Sequence, residues 1–141
     1  MAFKSSVLVV ANQTALSAGL EQALRARVAS GPASFTLLVP VGPTPDAPST
    51  ARRIASRLRR AGFDIEGRAG NADPLIAVLE VWSPAEYDEI IVSTLPASTS
   101  RWIQAGLPRR IERRTGALVR HIEAKEPLAS VPRETVAVAS A

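Results

Sequence analysis

The chain has 141 residues, 46% of them hydrophobic and 21% charged, with a formal net charge of +4 and no cysteine. A single domain of this size buries about two-thirds of the surface that its unfolded chain exposes. Disulfides, thiol nucleophiles and cysteine-based metal sites are excluded, and no stretch approaches the ~20 apolar residues that span a bilayer.

The first apolar run, Val7–Ala11, is cut short by Asn12, Gln13 and Thr14, which is too brief for a signal peptide. The expected location is the cytoplasm. The run belongs to a strand, Ser6–Ala11, apolar on both faces as in a parallel sheet covered on both sides. A helix from Thr14 to about Ser30 follows, with Thr14 as its N-cap and Leu16, Leu20, Leu24 and Val28 recurring along one face. Gly31 and Pro32 stop it.

The second strand, Ser34–Val41, is again nearly all apolar, and a proline-rich loop leads to a helix over Thr50–Ala61. Ala51, Ile54, Ala55 and Leu58 form the buried stripe of that helix, arginines cover the remainder, and Gly62 sits at its C-terminal end. The third strand, Phe63–Arg68, alternates apolar with charged residues, the pattern of a half-exposed edge. Asp73 and Pro74 open the third helix as N-cap and first helical residue. Leu75, Ile76, Val78, Leu79 and Trp82 make its apolar face, with Trp82 in the core.

The fourth strand is Glu89–Ser93, followed by the stretch "STLPASTSRWIQAGL" from Ser93 to Leu107. A short helix over Thr99–Gln104, capped by Ser98 or Thr99, and a last helix over Pro108–Thr115 lead to a fifth strand, Ala117–Ile122. The segment 123–141 is a tail in which "ETVAVA" offers an added strand.

Strand and helix thus alternate through one domain, residues 1–122. The pattern predicts a three-layer α/β/α fold with a five-stranded parallel sheet, order 3-2-1-4-5, Rossmann-like in plan. In such sheets ligands bind beyond the carboxyl ends of the strands, where the order reverses between the first and fourth. That places Asn12 and the Ser93–Gly106 loop at the ligand crevice before any motif is considered.

Neither a GxGxxG fingerprint nor a Walker A loop follows the first strand. Ser98, Thr99, Ser100 and Arg101 instead supply three hydroxyls and a planar cation, which can hold an anion at a helix start or serve simply as a cap. Trp102 is read as a packing residue and His121, the sole histidine, as a strand residue. No metal-ligand spacing or Ser-His-Asp pattern emerges, so no catalytic or metal residue is assigned and no enzyme activity is expected.

From the first strand's polar loop, the "GNADPLIAVLE" segment and the loop after the fourth strand, residues 5–122 resemble the universal stress protein (UspA-like) family. The resemblance implies an adenine nucleotide alpha hydrolase-like fold, a homodimer that pairs through its last strand, a role in stress response, and, in one branch, ATP held by G-x2-G-x9-G-[ST]. Laid on that pattern, Ser93 and Pro96 take the first two glycine positions, Gly106 keeps the third, and Leu107 stands where a hydroxyl is expected. Asn12 replaces the acid common after the first strand. A proline has no N–H to give a phosphate.

The resulting expectation is a non-enzymatic, dimeric protein of this type with its ATP motif largely lost, no required cofactor and an unidentified protein partner. One alternative is a nucleotide or small-anion binder that uses Asn12, Ser93, Ser98, Thr99, Ser100, Arg101 and Gly106. The other is nucleic-acid association through two arginine-rich helices. Residues 50–70 and 100–121 each carry six arginines. Neither helical run has an interleaved aromatic, so nucleic acid is not the expected partner.

Overall fold

In the computed structural model, which describes residues 4–12, 14–96 and 100–124, each strand hands on to a helix. The elements are β1 (Ser5–Val10), α1 (Ala18–Ala29), β2 (Ala33–Pro40), α2 (Ala47–Arg60), β3 (Ile65–Gly70), α3 (Pro74–Val81), β4 (Glu89–Thr94), α4 (Arg101–Gln104), α5 (Leu107–Thr115) and β5 (Leu118–Glu123). The strands form one sheet in the order β3-β2-β1-β4-β5, with every pair parallel. This is the fold class expected from the alternation of elements.

Two apolar layers hold it together. Val7, Val9, Leu37 and Ile91 face Leu20 and Leu24 of α1 and Ala51 and Leu58 of α2. Leu8, Val10, Ile90 and Val92 face Val78 of α3 and Leu107 and Ile111 of α5. Alternate residues of one strand thus serve opposite layers. The inner strand β4 is buried along its whole length. The edge strands β3 and β5 are mixed, and Leu118 of β5 is 58% exposed.

Local chemistry sets the boundaries. Asp73 caps α3 through Oδ1, accepting from the N–H groups of Leu75 and Ile76, with Pro74 next in line. α2 ends in a Schellman turn. Gly62, at φ 107°, donates to the Arg59 carbonyl and Phe63 to that of Leu58, which brings Phe63 into the core. There Phe63 meets Phe35 edge-on at 6.2 Å and takes the Arg25 guanidinium over its ring at 4.9 Å.

Several sequence expectations shift. α1 starts at Ala18, not Thr14, because the chain first makes turns from Asn12 to Ala15 and from Thr14 to Ser17. Ser17, not Thr14, is its cap and accepts from Leu20 N–H at 3.0 Å. Of the expected stripe only Leu20 and Leu24 are buried; Leu16 and Val28 are each 41% exposed. Leu16 precedes the helix and Val28 lies in its last turn, beyond the sheet contact.

α2 begins three residues early, since Pro48 is accommodated in its first turn. β3 begins two residues late, after the Schellman turn. Ile76 is 43% exposed, and Trp82 is partly buried and stacked on Tyr87, at the margin of the core instead of inside it. α4 begins at Arg101, and Ser100 accepts from Ile103 N–H as its cap. Ala97, Ser98 and Thr99, and the tail from residue 125, lie outside the described residues.

At the amino end of the sheet Glu89, 7% exposed, meets Arg27 of α1 at 3.0 Å and Arg120 of β5 at 3.3 Å. A carboxylate this buried needs such partners. It ties α1 to β4 and β5 at that end of the sheet.

Two stability predictions follow from this packing. A Cβ at Gly67 would lie 2.2 Å from the Ala51 carbonyl oxygen, so α2 can approach β3 only over a glycine. Gly67→Ala is expected to lower unfolding free energy by about 1–3 kcal/mol in urea titration, by overpacking against backbone. Arg27→Ala strips Glu89 of its nearer cation and is expected to cost about 3 kcal/mol in the same titration, the low end for breaking a buried pair because Arg120 remains.

Candidate functional site

Between the carboxyl ends of β1 and β4 lies a crevice of about 280 Å³. This is where the strand order reverses. Its volume is at the small end for ligand pockets. Asn12 and Thr14 line it from the loop after β1, Ser93, Thr94 and Leu95 from the end of β4, and Ser100, Arg101 and Trp102 from the start of α4.

The floor is a hydroxyl pair. Thr14 Oγ1 and Ser93 Oγ lie 2.5 Å apart, and each residue is 1% exposed. One hydroxyl donates to the other, so the pair satisfies itself while bridging the first loop to β4. Thr14 reaches this position because it stands in the turn before α1 instead of capping the helix. Beside it, Asn12 is exposed and turns its amide Nδ2 to the Pro40 carbonyl at 3.4 Å.

A second network runs from the crevice to the sheet edge. Thr94 Oγ1 donates to the Leu95 carbonyl at 2.8 Å and lies 2.8 Å from His121 Nε2 on β5. The threonine hydroxyl thus links the end of β4 to the imidazole on β5. His121 therefore braces the strand end that carries the crevice. Nothing in the sequence indicated this link, since residues 94 and 121 meet only through the β4–β5 pairing.

Of the residues anticipated at the crevice, Asn12, Ser93, Ser100 and Arg101 do line it. Ser100 spends its oxygen on the α4 cap, whereas the Arg101 side is exposed to solvent. Gly106 is not among the lining residues: at φ 70° it makes the left-handed junction between α4 and α5. Leu107, next in the chain, is buried in the layer with Ile111. Ser98 and Thr99 lie outside the described residues. Thr14, Thr94 and Leu95, which belong to the two loops expected at the crevice but were not singled out as binding residues, line it as well. Trp102 both lines the crevice and packs on the α3–α5 layer.

Elsewhere, among the described residues, no three His, Asp or Glu side chains gather as a metal site would require. No helix is long and apolar enough to cross a membrane. The two arginine-rich helices, α2 and α5, pack on opposite layers and so do not form one continuous basic surface.

No protein-family model matches the sequence, and no curated protein matches it significantly. Solved structures do. The chain is similar to a universal stress protein crystallised in complex with cAMP, at 23% identity and a TM-score of 0.64, over 89% of this chain and 100% of that one. It is also similar to a universal stress protein from Archaeoglobus fulgidus, at 16% identity and a TM-score of 0.52, over 86% and 99% of the two chains. With the strand order, the register and the crevice already in place, the fold of this chain is that of the universal stress proteins.

Proposed function

We propose that the chain is a non-enzymatic, UspA-like module that acts as a homodimer in stress response through a protein partner, with a crevice that no longer grips ATP. The carrying observation is the Thr14–Ser93 pair, buried where a glycine would let backbone approach a phosphate. Pro96 offers no N–H there. Leu107 puts a core side chain at the place of a hydroxyl. Dimerisation is supported by β5, an edge strand whose outer side pairs with no other described strand and which exposes Leu118.

A second reading has its own support. The crevice retains space, an exposed Arg101 and an exposed Asn12 at its rim, and the similar universal stress protein was crystallised in complex with cAMP. A compact nucleotide or small anion held chiefly by Arg101 suits that geometry better than a triphosphate.

Thermal unfolding separates the two. A ligand at 100 times its Kd adds about 2.7 kcal/mol, a shift easily seen. The first reading expects no change in Tm with millimolar ATP, AMP or cAMP, and a rise with ATP overturns it. The second expects a rise with AMP or cAMP that Arg101→Ala abolishes. For the dimer, sedimentation equilibrium at micromolar concentration is expected to give twice the chain mass of 14.9 kDa; a monomer at every concentration rejects it.

A further inference from the structure

The chain leaves β5 beside the crevice. Ala124, the residue after the strand, donates its N–H to the Thr94 carbonyl at 2.8 Å. It is 2% exposed, and it leaves so little room over Gly19 that a Cβ there would lie 3.0 Å from its own. Thr94 lines the crevice, and Gly19 stands in the first turn of α1, just past the loop that carries the lining Thr14. The segment from residue 125 therefore starts from an anchor held on one side by the strand that ends in the crevice and on the other by the helix that begins next to it.

The crevice holds a cation without a counter-charge. Arg101 is exposed and is the one charged residue among the described residues that line it. It forms no ion pair with any described carboxylate. Glu123 stands opposite Thr94 in the β4–β5 register, but it too makes no such pair. The next acid along the chain is Glu126. Two residues past Ala124, its Cα can stand up to about 7 Å from that anchor, and its side chain reaches further. Pro127 behind it disfavours a helical turn at residue 126 and favours an extended one. A crevice of about 280 Å³ is small for a nucleotide but has room for one side chain. Carboxylate and guanidinium fit each other through two parallel N–H···O bonds.

We propose that Glu126 enters the crevice of its own chain and pairs with Arg101 as an internal ligand. A carboxylate tethered this closely acts at an effective concentration on the order of millimolar, so a free anion reaches Arg101 only by displacing it. The contact needs neither a second copy nor a bound nucleotide. It sets the terms on which the compact anion of the second reading above could enter.

Trp102 reports on the contact, because it lines the crevice next to Arg101. The chain has two tryptophans, and Trp82→Phe keeps a ring against Tyr87 while leaving Trp102 alone to fluoresce. In that full-length background, quenching by acrylamide, which carries no charge, measures how open the crevice is. Glu126→Gln and Arg101→Gln are each expected to raise the quenching constant about twofold. Glu134→Gln, with the same change of charge further along the tail, should leave it unchanged. Arg101→Glu and Glu126→Arg in one chain should return it to the starting value. Equal quenching in Glu126→Gln, an equal rise in Glu134→Gln, or no recovery in the exchanged pair overturns the contact. Recovery on mixing the two single variants assigns Glu126 to the second copy and overturns the own-chain contact while leaving the homodimer standing. Millimolar inorganic phosphate should raise Tm more in Glu126→Gln than in the wild type; an equal rise, or none in either, overturns the competition.

Discussion

The parallel pairing of β1 with β4, Val7 to Glu89 through Val10 to Val92, is the constraint on which the remainder depends. It is where the chain, having built outward from β1 to β3, returns to build in the other direction. That reversal leaves the loops after β1 and β4 diverging to opposite layers, and the gap between them is the crevice. The same pairing brings Glu89 to the opposite end of the sheet, where α1 and β5 reach it from either side.

The two ends of β4 therefore do different things with polar residues in a dry place. At the carboxyl end, Ser93 and Thr94 are satisfied by neighbours one loop or one strand away, Thr14 and His121. Buried hydroxyls partnered in this way stiffen a site without charging it. At the amino end, a full carboxylate is buried and two arginines balance it. Burial of such a group is costly unless it is paired, so its presence ties three elements to one geometry. Among the described residues, the crevice is thus neutral at its floor and cationic at its rim, where Arg101 is exposed.

The late start of α1 has one origin. The loop after β1 is longer than an immediate helix start allows, because Thr14 is held by Ser93 across the crevice. The helix starts late, Ser17 takes over the cap, and Leu16 is stranded outside the stripe it resembles. A hydroxyl residue before an apolar run is an adequate signal for a cap, but Thr14 and Ser17 both qualify. Only a partner 79 residues away decides between them.

The alternation of apolar runs with amphipathic segments was enough to determine the layer architecture, the strand order and the location of the crevice. So were the caps whose partners are local: Asp73 with Leu75 and Ile76, and Gly62 after α2. Those features depend on residues a few positions apart, and periodicity reports them directly. The pairing of Thr14 with Ser93, of Thr94 with His121, and of Glu89 with Arg27 and Arg120 was decided by the tertiary structure alone. So was the need for glycine at position 67, where Ala51 of α2 presses on β3. Each joins residues distant in sequence that meet only because parallel strands lie side by side, and one chain read in order carries no mark of which neighbours the sheet will supply.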